Sequence, residues 1–190
     1  ELWKTKLEGG VFSSPAYFQE ILYVGAGDRK LYALSVKNGV IQWKYDIDSR
    51  VVASSPLVHR GLVFAGCYSG SLYAITAKEG KLKWKQALKS PIVTNPVAWQ
   101  QNIAVAPMSG EIFAFNVETG KTLWTFPGKG KMVLDPLYRN GEIYAAGDNI
   151  FYIIDAVSGK EKWKMEFASP IKTSPSIVGN DILMGLKNGE

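Results

Sequence analysis

The stretches ALSVKNGVIQW (33–43), AITAKEGKLKW (74–84), AFNVETGKTLW (114–124) and IIDAVSGKEKW (153–163) share one plan: an alternating run, a turn closed by glycine, and a tryptophan four residues later. The plan extends outward along the whole chain. Tryptophan recurs at Trp3, Trp43, Trp84, Trp124 and Trp163 with gaps of 40, 41, 40 and 39 residues. Pro15, Pro56, Pro96, Pro136 and Pro175 keep step at 41, 40, 40 and 39, as do Gly39, Gly80, Gly120 and Gly159 at 41, 40 and 39. Three residue types on one period mark an internal repeat of about 40 residues.

Inside each period the pattern alternates every second residue, as in LYALSV (31–36) and LYAITA (72–77), and no segment sustains a helical period. A helical solenoid of similar period is therefore set aside. In the first unit strands are expected near Val11–Tyr17, Ile21–Ala26, Lys30–Val36 and Val40–Tyr45. These four, a to d, make one blade of a β-propeller. Asp28-Arg29, Ser69-Gly70, Ser109-Gly110, Asp148-Asn149 and Asn188-Gly189 join strands b and c, with residue types that tolerate positive φ. The fold class expected is all-β: a propeller segment of four complete antiparallel blades with a partial blade at both ends. The repeats run about 11–50, 51–91, 92–131 and 132–170, with a partial unit at 171–190. Residues 1–6 are expected as the outer strand of a preceding blade. No strand c is available where the two ends would meet, so the chain is expected to be a piece of a larger propeller of seven or eight blades; five irregular blades are the alternative.

The four eleven-residue stretches resemble the tryptophan-docking motif, Ala-x-Asp-x-x-Thr-Gly-x-x-x-Trp, of the pyrroloquinoline-quinone-type β-propellers. The motif's Asp is Ser35, Thr76, Asn116 and Asp155 here, and its Thr is Asn38, Glu79, Thr119 and Ser158; Ile153 replaces the alanine of the last copy. The resemblance implies that Trp43, Trp84, Trp124 and Trp163 form a structural girdle between blades, each packing near a motif glycine: Gly39, Gly80, Gly120 or Gly159. Trp99 lies off the series and is expected to matter less. The family contains quinone-dependent dehydrogenases and a cofactor-free branch that includes the lipoprotein of the outer-membrane assembly machinery. The dehydrogenases stack their quinone under a disulfide between adjacent cysteines and hold a calcium ion. This chain has one cysteine, Cys67, and repeat gaps too even to hide a long inserted loop. No cofactor is expected.

Composition narrows the rest. A hydrophobic fraction of 46% with 21% charged residues suits a folded domain rather than a disordered tail. No apolar run approaches the roughly 18 residues of a transmembrane helix, and ELWKTKLEGG shows no basic region followed by an apolar one. One cysteine and one histidine, His59, leave no zinc spacing. Neither paired catalytic carboxylates nor a phosphate loop is present. Catalytic, cofactor-binding and metal-ligating residues are therefore expected to be none. His59 reads as a polar turn residue and Cys67 as a packed thiol.

The net charge of +5 divides into two groups. Lys4, Lys6, Lys44, Lys83, Lys85, Lys162 and Lys164 flank the repeat tryptophans on the outermost strand, where lysine blocks edge-to-edge pairing. That placement accounts for much of the charge without a nucleic-acid partner. Arg29, Lys30, Arg50, Lys89, Lys129 and Lys131 fall on the d–a and b–c connections of one face and are the candidate partner-binding residues. Within them, the run 126–131, with two glycines and two lysines, is expected to be mobile and cationic. Asn95 and Asp135, just before Pro96 and Pro136 on the innermost strand, are candidate polar groups of the central channel. The function expected is a non-catalytic protein-binding, scaffold or sensor propeller with a polypeptide partner, further blades outside this segment and, by resemblance, an extracytoplasmic location. A fragment of a quinone-dependent dehydrogenase and a structural spacer are the alternatives.

Overall fold

The computed structural model describes residues 2–50, 54–179 and 181–190; residue 1 and the start of the second repeat at 51–53 lie outside the described residues. Four sheets of four antiparallel strands follow one another. Blade one is β1 (Ala16–Phe18), β2 (Ile21–Gly25), β3 (Lys30–Ser35) and β4 (Ile41–Asp46). Blade two is β5 (Leu57–His59), β6 (Leu62–Gly66), β7 (Ser71–Thr76) and β8 (Leu82–Ala87). Blade three is β9 (Val97–Trp99), β10 (Asn102–Val105), β11 (Ile112–Asn116) and β12 (Thr122–Phe126), and blade four is β13 (Leu137–Arg139), β14 (Glu142–Gly147), β15 (Ile150–Asp155) and β16 (Glu161–Glu166). A two-stranded sheet, β17 (Ser176–Val178) with β18 (Asp181–Leu183), closes the described chain. Among the described residues no helix is long and apolar enough to cross a membrane.

The innermost strand of each blade is shorter than the sequence suggests, three residues in place of seven in blade one. Pro15, Pro56, Pro96 and Pro136 stand just before these strands; proline has no N–H to donate, so pairing starts after it. The middle strands carry the core. β6 and most of β7 are wholly buried, with Phe64, Leu72 and Ala74 packed against Ile103, Val105 and Phe115 of the next blade and Val63, Ala65 and Ile75 against Tyr23, Leu31 and Ala33 of the preceding one. Outer strands β4 and β8 carry only exposed and half-buried positions, and β12 does so up to its last residue, the buried Phe126. The apolar cores thus lie between blades, and each blade needs its neighbour.

The expectation for Trp99 is corrected by its surroundings. Trp99 is 4% exposed, stacked on Tyr138 of blade four at 5.4 Å between ring centroids and on Trp124 at 6.4 Å. It sits off the repeat because it occupies a different position, the end of a strand a, yet it fills a cleft between blades. Trp163 is 47% exposed and lies edge-on to Phe151 with ring centroids 6.2 Å apart; the c–d turn on which its girdle role depends is not among the described residues. Residues 2–6, expected as an outer strand, pair with no strand, since the strand c beside which they would lie is not among the described residues. No backbone hydrogen bond joins 2–6 to 181–186 among the described residues.

Candidate functional site

The repeat's turns create the geometry on which any site must rest. In blade three, Gly120 N–H donates to Asn116 O at 2.9 Å, and Asn116 Oδ1 accepts from the backbone N–H groups of Glu118 and Thr119 at 3.1 and 3.0 Å. Asp155 Oδ1 does the same for Ser158 N–H at 2.7 Å. A short polar side chain at this position satisfies turn backbone that the sheet leaves unpaired. The turn then offers its carbonyl and its glycine to the previous blade. Trp43, Trp84 and Trp124 donate their indole N–H to Ala77, Val117 and Ala156 O at 2.9, 2.7 and 3.1 Å. Their rings lie on Gly80, Gly120 and Gly159 of the following blade. Trp3 joins the series, donating to Val36 O at 2.6 Å with its ring on Gly39. Each acceptor is three residues before its glycine, so each tryptophan reads the same turn one blade onward.

A second series runs along the inner strands. Ser14 N–H donates to Ser55 Oγ (3.1 Å), Ser55 N–H to Asn95 Oδ1 (2.6 Å), Asn95 N–H to Asp135 Oδ1 (2.7 Å) and Asp135 N–H to Ser174 Oγ (2.9 Å). Asn95 Nδ2 adds a bond to Asp135 Oδ2 at 2.7 Å. The residue before proline is held extended, and its free N–H finds the side chain of its counterpart in the next blade. Asn95 and Asp135 are therefore links of an inter-blade clasp. A calcium ion requires six to eight oxygen ligands, and no group of three or more metal-ligating acidic, histidine or cysteine residues converges among the described residues. With both oxygens of Asp135 engaged by Asn95 and the sole cysteine buried, the residues present do not fit a calcium-bound quinone.

The d–a and b–c connections do share one face and bond to each other: Tyr68 N–H donates to Arg50 O (3.2 Å), Ile92 N–H to Cys67 O (3.1 Å) and Met108 N–H to Pro91 O (2.8 Å). Arg29, Arg50, Lys89, Lys129 and Lys131 are exposed on it. Lys30 is not free: its ammonium lies 3.1 Å from Glu8 and 3.9 Å from Asp28. The Arg50 guanidinium lies over the Tyr68 ring, 5.8 Å from its centroid. The loop at 126–131, expected to be mobile, is tied down. Lys129 N–H donates to Tyr152 Oη (3.0 Å), Lys131 N–H to Asp148 Oδ2 (3.1 Å), and Phe126 and Met132 are buried at its two ends. Its glycines permit close approach rather than motion: a Cβ on Gly130, at φ +79°, would meet Gly147 O at 2.8 Å.

The sequence reading missed two clusters. His59 ends β5 with Nε2 2.8 Å from Gln100 O, so it bridges blades two and three instead of standing in a turn. Asp48 collects Lys85 Nζ (2.6 Å), Ser69 Oγ (2.9 Å) and Ser71 Oγ (3.1 Å), while its own N–H donates to Tyr73 Oη (3.1 Å). Partial burial pushes the Asp48 carboxyl up, but hydrogen bonds from Lys85, Tyr73, Ser69 and Ser71 outweigh it and hold the group well below the usual carboxylate range. The Cys67 thiol beside them is pushed up by burial and is unreactive in kind. No residue within one repeat signals the Asp48 cluster, because its members come from a d–a loop and from a b–c turn and two strands of the next blade. The depressed carboxyl adds stability above its unfolded value near pH 4 that is lost as pH falls. Both partners are over a third exposed, so Asp48→Asn is expected to cost only about 1 kcal/mol at pH 7 and to flatten the acid limb of a melting-temperature profile below about pH 4. An unchanged acid limb would remove the cluster from the stability account.

The family model described as outer membrane protein assembly factor BamB matches residues 1–102 and 90–190. The structure of BamB from Moraxella catarrhalis superposes with a TM-score of 0.84 at 15% identity, covering 97% of this chain and 61% of that one. This chain therefore spans about three-fifths of that relative's length. The computationally designed Ika8 protein gives 0.82 at 14% identity, covering 92% of this chain and 55% of its own. The quinohemoprotein alcohol dehydrogenase ADHIIG from Pseudomonas putida HK5 gives 0.76 at 18% identity, covering 97% and 40%. At such identities these likenesses establish the propeller fold alone. No curated protein matches the chain.

Proposed function

The chain belongs to the outer membrane protein assembly factor BamB family of quinone-type β-propellers, and from that premise we propose that it is a non-catalytic scaffold that binds protein through the loops of one face. The observation that carries the reading is the family match across both halves of the chain, 1–102 and 90–190. The site chemistry supports it. The polar groups nearest the channel hold blade to blade, whereas the d–a and b–c loops are fixed backbone to backbone with Arg29, Lys89, Lys129 and Lys131 pointing outward. A rigid scaffold carrying variable exposed side chains suits binding. The cationic face suits an acidic partner segment, in an extracytoplasmic setting and with further blades completing the ring. Of the named candidates, Lys30 drops to a supporting role because Glu8 and Asp28 engage it.

The test has two arms. Titration with the quinone and calcium is expected to give no saturable binding and no dye-linked alcohol oxidation; stoichiometric uptake would replace this reading with the dehydrogenase one. In the second arm, a partner is captured from a cell-envelope extract by crosslinking. Lys129→Glu with Lys131→Glu is then expected to slow association with it at least tenfold at low salt and to weaken the salt dependence, leaving the melting temperature unchanged. Association that ignores the double charge reversal would take the loop face out of the function.

A further inference from the structure

The opposite face, made by the a–b and c–d turns, carries a cavity of about 600 Å³ between blades one and two, walled by Phe18, Tyr23 and Trp43 and rimmed by Gln19, Gln42 and Lys78. The molecule shows what such a cleft accepts. Between blades three and four the corresponding space is filled by the Trp99 indole, stacked on Tyr138 on one side and Trp124 on the other. Aligned on the repeat prolines, Phe18 stands where blade three has Trp99, and Val58 stands where blade four has Tyr138. Phenyl for indole and isopropyl for phenol leave unfilled about the room of an aromatic ring.

The back wall is already fixed. Tyr23 Oη and Trp43 Nε1 both donate to Ala77 O, at 3.2 and 2.9 Å, and the two rings lie 5.8 Å apart at 43°. Gln19 and Glu20 at the rim both have positive φ, 46° and 65°. The matching turns of blades two and four use Arg60-Gly61 and Asn140-Gly141, residue pairs that reach this conformation with less strain, and that of blade three, Gln100-Gln101, has positive φ at Gln100 alone, so Glu20 is the one non-glycine residue at the second position of a described a–b turn with positive φ. A strained turn beside an open aromatic cleft is an outlier of the kind that accompanies binding. Lys78 makes no ion pair among the described residues, while its neighbour Glu79 is held by Lys81 at 2.9 Å.

We propose that this cleft receives one aromatic side chain of an extended partner peptide, with the amides of Gln19 and Gln42 meeting peptide backbone and Lys78 meeting an adjacent carboxylate. The inference rests on the protein-binding reading but uses the face opposite the Lys129 and Lys131 loops, so the two stand or fall on separate results. The probe is the blocked peptide acetyl-DWD-amide, titrated into isotope-labelled chain while the indole N–H signal of Trp43 is followed by NMR. Saturable shifts at Trp43 and at the Gln19 and Lys78 amides are expected below about 1 mM, a weak single-anchor affinity, with none from acetyl-DAD-amide.

Val58→Tyr, which supplies from within the ring that Tyr138 supplies in the third cleft, is expected to weaken binding at least tenfold without lowering the melting temperature. Lys78→Glu should weaken acetyl-DWD-amide and leave acetyl-GWG-amide as it was. Equal shifts from the alanine peptide, binding that survives Val58→Tyr, or no saturation with acetyl-DWD-amide would overturn the proposal. So would glucose moving the Trp43 signal where the peptide does not, which would make the cleft a sugar site.

Discussion

Trp99→Ala is expected to destabilise the chain by about 3–5 kcal/mol, the range for truncating a buried large aromatic, and at least as severely as Trp84→Ala. The indole of Trp99 is almost fully buried and touches two rings of the neighbouring positions, Tyr138 at an interplanar angle of 16° and Trp124 at 29°. Its removal opens a void walled on both sides by rigid groups that cannot collapse into it. Trp84 is half-buried, so part of its truncated surface is already in water. Its loss is compounded by the orphaned carbonyl of Val117 and by the rings of Phe64 and Phe115, at 5.7 and 6.1 Å, which lose a partner. Urea unfolding midpoints at constant slope measure both. A loss below about 1 kcal/mol for Trp99→Ala would show that the third cleft repacks, and with it would go the idea that clefts between blades are rigid enough to define a ring-shaped pocket.

The comparison of these two tryptophans also shows what the letters of the chain disclose. Period carries the blade: the glycine that closes each c–d turn, the tryptophan four residues on and the proline before each inner strand are visible because every blade must solve the same turn and docking problem. The d-strand lysines belong to the same category. Lys83, Lys85 and Lys164 stand on exposed outer strands, with carboxylates of Glu118, Asp48 and Glu161 in reach at 3.7, 2.6 and 4.0 Å.

What breaks the period is where reading the chain alone fails. Trp99, His59 and Asp48 each act across a blade boundary, and their partners, Tyr138, Gln100 and Lys85, are 37 to 41 residues away. Exceptions to the repeat look like noise until the clefts are assembled. The 126–131 loop is the converse case: two glycines suggest freedom, yet they are required because backbone of blade three, at Gly110, lies against Gly128 and backbone of blade four, at Gly147, lies against Gly130. Asn95 and Asp135 were visible as departures from serine, and their partnership required knowing that the residue before each proline leaves an N–H for the next blade to accept.

Replacing Gly120 separates the two roles that glycine plays in these turns. Gly120 and Gly141 both have positive φ, +69° and +83°, so alanine at either carries the backbone cost of a left-handed residue, about 1 kcal/mol. They differ in what a Cβ would meet. At Gly141 nothing lies within 4 Å, whereas at Gly120 it would fall 2.7 Å from Cδ2 and 2.8 Å from Cγ of Trp84, the rigid centre of an indole. The ring cannot stay where it is. If it moves, its N–H leaves Val117 O and its contacts with Phe64 and Phe115 open. Gly120→Ala is therefore expected to cost about 3 kcal/mol or more, combining backbone strain with much of the loss of a docked aromatic, while Gly141→Ala stays near 1 kcal/mol. In the double variant with Trp84→Ala the penalty of Gly120→Ala should shrink to the backbone cost alone, because the clash has lost its partner. Additive losses in that cycle would mean that the glycine answers to the turn and not to the tryptophan, and the docking of one blade on the next would need another explanation.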